Sequence, residues 1–112
     1  MRRVIFVSGP FRAESQAQMA AHTMTAQAAA LRLAQLGWAV YCPHTNIGHA
    51  FGQLDEADAE AINDAFLAKS DAILLLPGWG QSIGARRELE QAKARSLIVF
   101  RSLGEVMQWG RP

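Results

Sequence analysis

Four short apolar runs, separated by helix-forming segments, are the feature that most constrains the fold of this 112-residue chain. The runs lie at residues 4–7, 38–42, 72–76 and 97–100 and are continuous, which is typical of strands that helices cover on both faces. The segments between them predict helices from about 13–15 to 36, over 55–69, over 83–95 and over 103–109. We therefore predict an α/β fold, Rossmann-like or flavodoxin-like, with a parallel sheet of four or five strands between two helical layers.

Composition limits the protein classes to which such a fold can belong. With 112 residues, half of them hydrophobic, the sequence predicts a single domain over residues 1–112. A net charge of +1 gives no basic surplus for binding nucleic acid or an anionic membrane. No apolar run is long enough for a bilayer span, and the start is too short for a signal peptide. The lone Cys42 fits a reducing compartment, so we expect a soluble, cytoplasmic protein.

The stretch from residue 74 to residue 92 contains the main candidate site. Leucines close the third apolar run, residues 77–80 form a Pro-Gly-Trp-Gly turn, and Ser82 occupies the position of a helix N-cap. In an open parallel sheet, ligands bind outside the carboxyl ends of the strands. We therefore expect this loop to border a ligand site.

Glu88 is the sharpest candidate on the helix that follows. At about 100° per residue, it lies between a solvated arc and a packing arc, one turn after Gly84, which leaves room in front of the carboxylate. The helix dipole favours a Glu early in a helix. Two interpretations stay open: a catalytic carboxylate, or a partly buried Glu paired with Arg95 or Arg87. The two arcs hold Arg86, Arg87, Glu90 and Lys93 on the solvated side and Ala85, Leu89 and Ala92 on the packing side.

Other polar residues follow each predicted strand. Asp64 lies at the edge of an apolar stripe, and an inward-leaning carboxylate needs either a function or a partner such as a cap or a salt bridge. We interpret His44 either as a phosphate ligand or acid, or as a loop histidine bonded to backbone. Trp79 is either a base-stacking residue or a packing or dimer-contact residue. The stripe beside Asp64 consists of Ala61, Ile62, Ala65 and Phe66. The remaining candidates are Ser8, Gly9, Pro10, Phe11, Arg12, Asn46, Ser82 and Gly84.

Four motifs in order along the chain resemble the nucleoside 2-deoxyribosyltransferase superfamily, including its short phage and bacterial members and its nucleoside 5′-monophosphate N-glycosidases. They are Gly-Pro-Phe at residues 9–11, Pro-His-Thr-Asn at 43–46, the Asp64 helix before Ser-Asp-Ala at 70–72, and Leu-Pro-Gly-Trp leading into Ser-x-Gly-x-x-x-Glu at 82–88. The resemblance covers nearly the whole chain.

The resemblance implies cleavage or exchange of an N-glycosidic bond, with Glu88 as the nucleophile and a covalent glycosyl intermediate. It implies that Asp64 holds the sugar hydroxyls or helps to move a proton to the base. Ser82, where the transferases have an Asp, and Arg12 match the glycosidases and favour a nucleotide over a free nucleoside. The enzyme would then be a hydrolase or a transferase that needs no cofactor and no metal.

One departure from the resemblance keeps other functions open. Active relatives carry a Tyr in the first strand whose hydroxyl touches the nucleophile, and this chain has Phe6. A catalytically silent nucleotide-binding or sensor module is therefore the main alternative, and a purely structural oligomer is another. A phosphoribohydrolase with a Pro-Gly-Gly loop fits less well, because the spacing from Pro77 to Gly84 is too long.

Two further expectations concern the middle of the chain and its assembly. The segment 44–54 has two glycines and no period, so we predict a loop that closes over a ligand. Cys42, His44 and His49 lack a recognised metal-site spacing, and we reject a metal there. Because the sheet is small, we expect a homo-oligomer, a dimer or a tetramer, that covers one face or edge.

Overall fold

The computed structural model describes residues 1–46 and 53–112. Four strands of the described chain form one sheet, in which every neighbouring pair is parallel. They are β1 (Val4–Ser8), β2 (Ala39–Tyr41), β3 (Ala72–Leu75) and β4 (Ile98–Phe100). The strand order β2-β1-β3-β4 reverses direction between β1 and β3, as it does in flavodoxin-like folds. The predicted α/β class is confirmed.

Among the described residues, five α-helices connect and cover the strands. They are α1 (Gln16–Gln35), α2 (Pro43–Asn46), α3 (Glu56–Ala68), α4 (Ile83–Ala94) and α5 (Leu103–Trp109). Local signals explain their ends: the Ser15 hydroxyl accepts the backbone N–H of Gln18 at the start of α1, and Gly37 follows its end with a φ of +106°. Asp55 and Ser82 cap α3 and α4 in the same way as Ser15.

Alternate residues of β1 point into two separate cores. Ile5 and Val7 pack against α1 and α5, whereas Phe6 packs against α3 and α4. Each core joins sheet residues to the apolar faces of its helices, which produces the predicted three layers. Ser8 lies on the same face of β1 as Phe6 and therefore faces α4. No helix among the described residues has both the length and the hydropathy of a membrane span.

The predicted apolar stripe of the helix over 55–69 is wrong in its rotation. Ala61 and Ala65 are exposed and Ile62 is half-buried, whereas Leu67 is fully buried. Phe66 is 45 % exposed and stacks on the ring of Tyr41, with a centroid distance of 4.1 Å. Alanine buries little area and does not fix the rotation of a helix, so Leu67 and the aromatic stack set it instead.

The predicted loop over residues 44–54 is also wrong at its beginning. Residues 43–46 form the short helix α2, with Pro43 at its first position, where the missing N–H of proline costs nothing. Residues 47–52, which include Gly48, His49 and Gly52, lie outside the described residues.

Candidate functional site

A cavity of about 550 Å³ lies outside the carboxyl ends of β1 and β3, where the strand order reverses. Its walls come from the turn after β1, from α2, from α3 and from the beginning of α4. Eight of the twelve predicted site residues line it: Gly9, Pro10, Phe11, Arg12, His44, Ser82, Gly84 and Glu88. The other four, Ser8, Asn46, Asp64 and Trp79, lie behind the cavity wall or away from it.

Glu88 combines burial with a single short hydrogen bond. The residue is 8 % exposed, and its Oε1 accepts a hydrogen bond from the Ser8 hydroxyl at 2.6 Å. Burial raises the pKa of Glu88 from 4.5 to about 7, because water no longer stabilises the charged form; the Ser8 hydrogen bond and the nearby Arg87 oppose this rise. Near neutral pH the carboxyl group of Glu88 therefore exists in both its ionised and its protonated form.

Asp64 is held by an ion pair. Arg87 Nη1 lies 3.1 Å from each carboxylate oxygen of Asp64, and both side chains are about one third exposed. The hydrogen bond that Arg87 donates to Asp64 raises the pKa of Arg87 further. Arg87 therefore does not lie on the solvated arc, contrary to the sequence prediction. Since Arg87 pairs with Asp64, the predicted partnership of Glu88 with this arginine is replaced by the contact with Ser8.

Two glycines shape the cavity for opposite reasons. A Cβ atom on Gly9 would lie 2.7 Å from the Cβ of Leu76, so the chain passes too close to β3 for any side chain. A Cβ atom on Gly84 would meet no atom within 4 Å and would extend into open space. The room that the sequence predicts beside Glu88 is therefore present.

The predicted phosphate end carries charges of both signs. The guanidinium of Arg12 lies 3.2 Å from Glu56 Oε1, with both side chains more than half exposed. The Ser82 hydroxyl accepts the backbone N–H of Ala85 at 3.2 Å and caps α4 at the cavity wall. An anionic ligand at this end has to compete with Glu56 for Arg12.

His44 links the turn after β1 to α2. Its Nε2 lies 2.9 Å from the carbonyl oxygen of Pro10 and donates to it, while its ring meets Phe11 edge-on at 5.8 Å. Burial lowers the pKa of His44, which favours the neutral ring. Of the two sequence interpretations, the structure therefore favours the histidine bonded to backbone.

Asn46 and Trp79 lie outside the cavity wall. Asn46 donates to the Tyr41 hydroxyl at 3.1 Å and supports β2. Trp79 lines a separate groove along α4, and the Arg101 guanidinium lies 5.7 Å from its ring centroid. These positions favour packing roles for both residues.

The sequence analysis missed three polar cavity residues on α3, namely Glu56, Glu60 and Asn63. Their spacing of four and then three residues places them on one helical face, which is the signal that was available. The helix dipole alone explains acidic residues early in a helix, so their presence did not indicate a cavity wall. Within the described part of the chain, no group of three His, Cys, Asp or Glu side chains is arranged to hold a metal ion.

A family model described as "Domain of unknown function (DUF4406)" matches residues 3–101. The chain belongs to this family. The DUF4406 chain also resembles the solved structure of a 2-desoxiribosyltransferase from Leishmania mexicana, with a TM-score of 0.62 and 16 % identity. The match covers 87 % of the DUF4406 chain but 61 % of the Leishmania chain, so the likeness shows the fold. No curated protein matches the sequence.

Proposed function

We propose that this protein cleaves or exchanges the N-glycosidic bond of a nucleoside or a nucleoside 5′-monophosphate, with Glu88 as the nucleophile. The observation that carries the proposal is a buried carboxylate, 8 % exposed, in the wall of a cavity at the reversal of strand order. A fold shared with a 2-desoxiribosyltransferase supports this class of chemistry.

In the first step a Glu88 oxygen attacks the anomeric carbon of the sugar. The new carbon–oxygen bond forms as the bond to the base nitrogen breaks, and the base leaves with the electron pair and takes up a proton from water. In the second step water, or the nitrogen of another base, attacks the same carbon as the bond to Glu88 breaks, and the attacking group gives up its proton to water. Two displacements retain the configuration at this carbon.

The burial of Glu88 contributes to this reaction in two ways. A desolvated carboxylate stabilises the positive charge that develops on the sugar more strongly than a hydrated one does. The pKa of about 7 leaves enough of the ionised form at neutral pH for attack. Arg87 Nη1 contacts both carboxylate oxygens of Asp64, so we assign Asp64 to holding Arg87 at the cavity wall rather than to donating a proton.

The substrate's 5′ end would lie near Arg12, Ser82 and the N-terminus of α4. Arg12 offers a bidentate contact to a phosphate once it leaves Glu56, and the helix N-terminus favours an anion. Glu56 and Glu60 oppose an anion at the same wall, so free nucleosides have to be tested beside nucleotides.

The test is an assay of free-base release from a panel of ribonucleosides, deoxyribonucleosides and their 5′-monophosphates. We expect release by the wild type, no release by Glu88→Gln, and normal release by Glu90→Gln, which changes an exposed carboxylate on the same helix. Acid-quenched wild type should carry the mass of one glycosyl group. Tight binding without release would instead assign a silent binding module, and a melting temperature that no compound changes would leave only a structural role.

A further inference from the structure

Ser8 and Glu88 are 80 residues apart in sequence, yet they form the shortest side-chain hydrogen bond of the described residues, at 2.6 Å. Both residues are buried, with Ser8 1 % and Glu88 8 % exposed. This distance lies in the range of a hydroxyl that donates to an ionised carboxylate, which is about 2.5–2.7 Å. When Glu88 is ionised, the contact is therefore a charge-assisted bond inside the protein.

The backbone holds the Ser8 hydroxyl in a fixed position. Ser8 is the last residue of β1, and its carbonyl oxygen accepts the N–H of Leu76 at 2.8 Å. The neighbouring Gly9 passes too close to Leu76 to move inward. Since Ser8 stands on the central pair of strands, it is a rigid donor for a side chain that reaches down from α4.

We propose that Ser8 is a positioning residue, which holds Oε1 of Glu88 so that the other carboxylate oxygen faces the substrate. This assignment rests on the proposed function for its catalytic consequence. It differs from the sequence prediction, in which Ser8 binds substrate, because Ser8 does not line the cavity. It also explains how Glu88 can be oriented although Phe6 lacks a hydroxyl. The carboxylate accepts its hydrogen bond from Ser8, which lies two residues further along the same face of β1.

The hydrogen bond has an electrostatic consequence that a purely structural contact lacks. Burial raises the pKa of Glu88, and the bond from Ser8 is the largest of the effects that lower it. The other groups that act on this carboxyl are Arg87 on the same helix, which lowers its pKa, and Asp64 and Glu60 on α3, which raise it. Tyr41 on β2 also interacts with Glu88, while His44 lines the same cavity.

Ser70 provides a matched control within the chain. It is also a buried serine, 6 % exposed, but its hydroxyl donates to the backbone carbonyl of Phe66 at 2.9 Å. Loss of either hydroxyl removes one buried hydrogen bond, so Ser8→Ala and Ser70→Ala should have comparable effects on folding. Only Ser8→Ala should change the titration of Glu88.

The experiment measures the Glu88 pKa by carbon-13 NMR of its side-chain carboxyl, assigned with Glu88→Gln, and the pH dependence of kcat/KM. We expect Ser8→Ala to raise the NMR pKa and the acid limb of the profile by about one pH unit. Ser70→Ala should leave both at the wild-type values, and Ser8→Thr, which keeps a hydroxyl, should restore them. Should Ser8→Ala fail to fold, Ser8→Cys retains a weak donor and should give a smaller upward shift.

The two readouts separate the two proposals. A Glu88 pKa that Ser8→Ala leaves unchanged, or that Ser70→Ala raises equally, would overturn the role of Ser8 whatever the activity. If Ser8→Ala raises the NMR pKa of Glu88 but the wild type releases no base, Ser8 remains the partner that orients Glu88 and the proposed function is refuted.

Discussion

Replacing Glu88 by Gln should stabilise the protein, and the gain should increase with pH. The folded-state pKa of about 7 lies above the ordinary value of 4.5. Between these two values the folded protein binds a proton that the unfolded chain has lost, so wild-type stability falls as the pH rises. This pKa difference of about 2.5 corresponds to a loss of about 3 kcal/mol in the free energy of unfolding at pH 8 and above.

Gln is the appropriate substitution because it keeps the shape of Glu and its acceptor oxygen for Ser8, but has no charge to desolvate. At pH 5 most of the cost of burying a charged Glu88 is absent, so this effect should change the free energy of unfolding little between the two proteins. At pH 8 we expect Glu88→Gln to exceed the wild type by about 2–3 kcal/mol more than at pH 5, which is roughly 10 °C in Tm for a domain of this size.

The assay is urea unfolding of both proteins at pH 5 and pH 8. Glu90→Gln is the matched control on α4, because its side chain is 74 % exposed and remains hydrated in the folded state. Titration of His44 changes stability in both proteins alike and cancels in the comparison. A gain that is equal at the two pH values, or one that Glu90→Gln reproduces, would refute the burial of an ionisable Glu88.

Four further substitutions test other parts of the site. Gly9→Ala should destabilise the fold by roughly 2 kcal/mol or more in urea unfolding, because its Cβ would overlap Leu76. Gly84→Ala should fold at least as well as the wild type, because its Cβ meets no atom, but should bind nucleosides more weakly in calorimetry. Ser82→Ala should cost about 1 kcal/mol in the same unfolding assay through loss of the α4 cap, and an unchanged midpoint would contradict this. Asp64→Asn should lower the free energy of unfolding by at most about 1 kcal/mol, because its ion pair with Arg87 is one third exposed. It should also raise the KM for base release, because Arg87 is no longer held at the cavity wall; an unchanged KM would argue against this role of Asp64.

The elements that the sequence predicts well are those with strong local signals. The bounds of α5 agree with the predicted 103–109, and Ser82 caps α4 as expected, because capping depends on residues three apart. The buried positions Ala85, Leu89 and Ala92 follow from the helical period alone. In α3, by contrast, alanines and acidic residues leave the rotation of the helix undetermined.

The contacts that define the candidate site connect distant parts of the chain. Arg87 reaches Asp64 across two helices, and Ser8 reaches Glu88 from the other end of the sequence. No local period contains such pairings, since they depend on strand order and on the rotation of each helix. The sequence therefore indicates Glu88 as a candidate but not the serine that holds it. The expected homo-oligomer stays a prediction, and exposed Met24 and Leu31 on α1 are a place to examine it.

The central position of β1 has a consequence for the order in which contacts form while the chain is being synthesised. Ser8 leaves the ribosome well before its carboxylate partner, which follows 80 residues later in the sequence. The parallel β1–β3 pairing has to close a long loop before these two groups meet, and such non-local pairings form late. A nascent chain therefore lacks the hydrogen bond between Ser8 and Glu88, and its acidic side chain remains hydrated until the sheet and α4 have assembled.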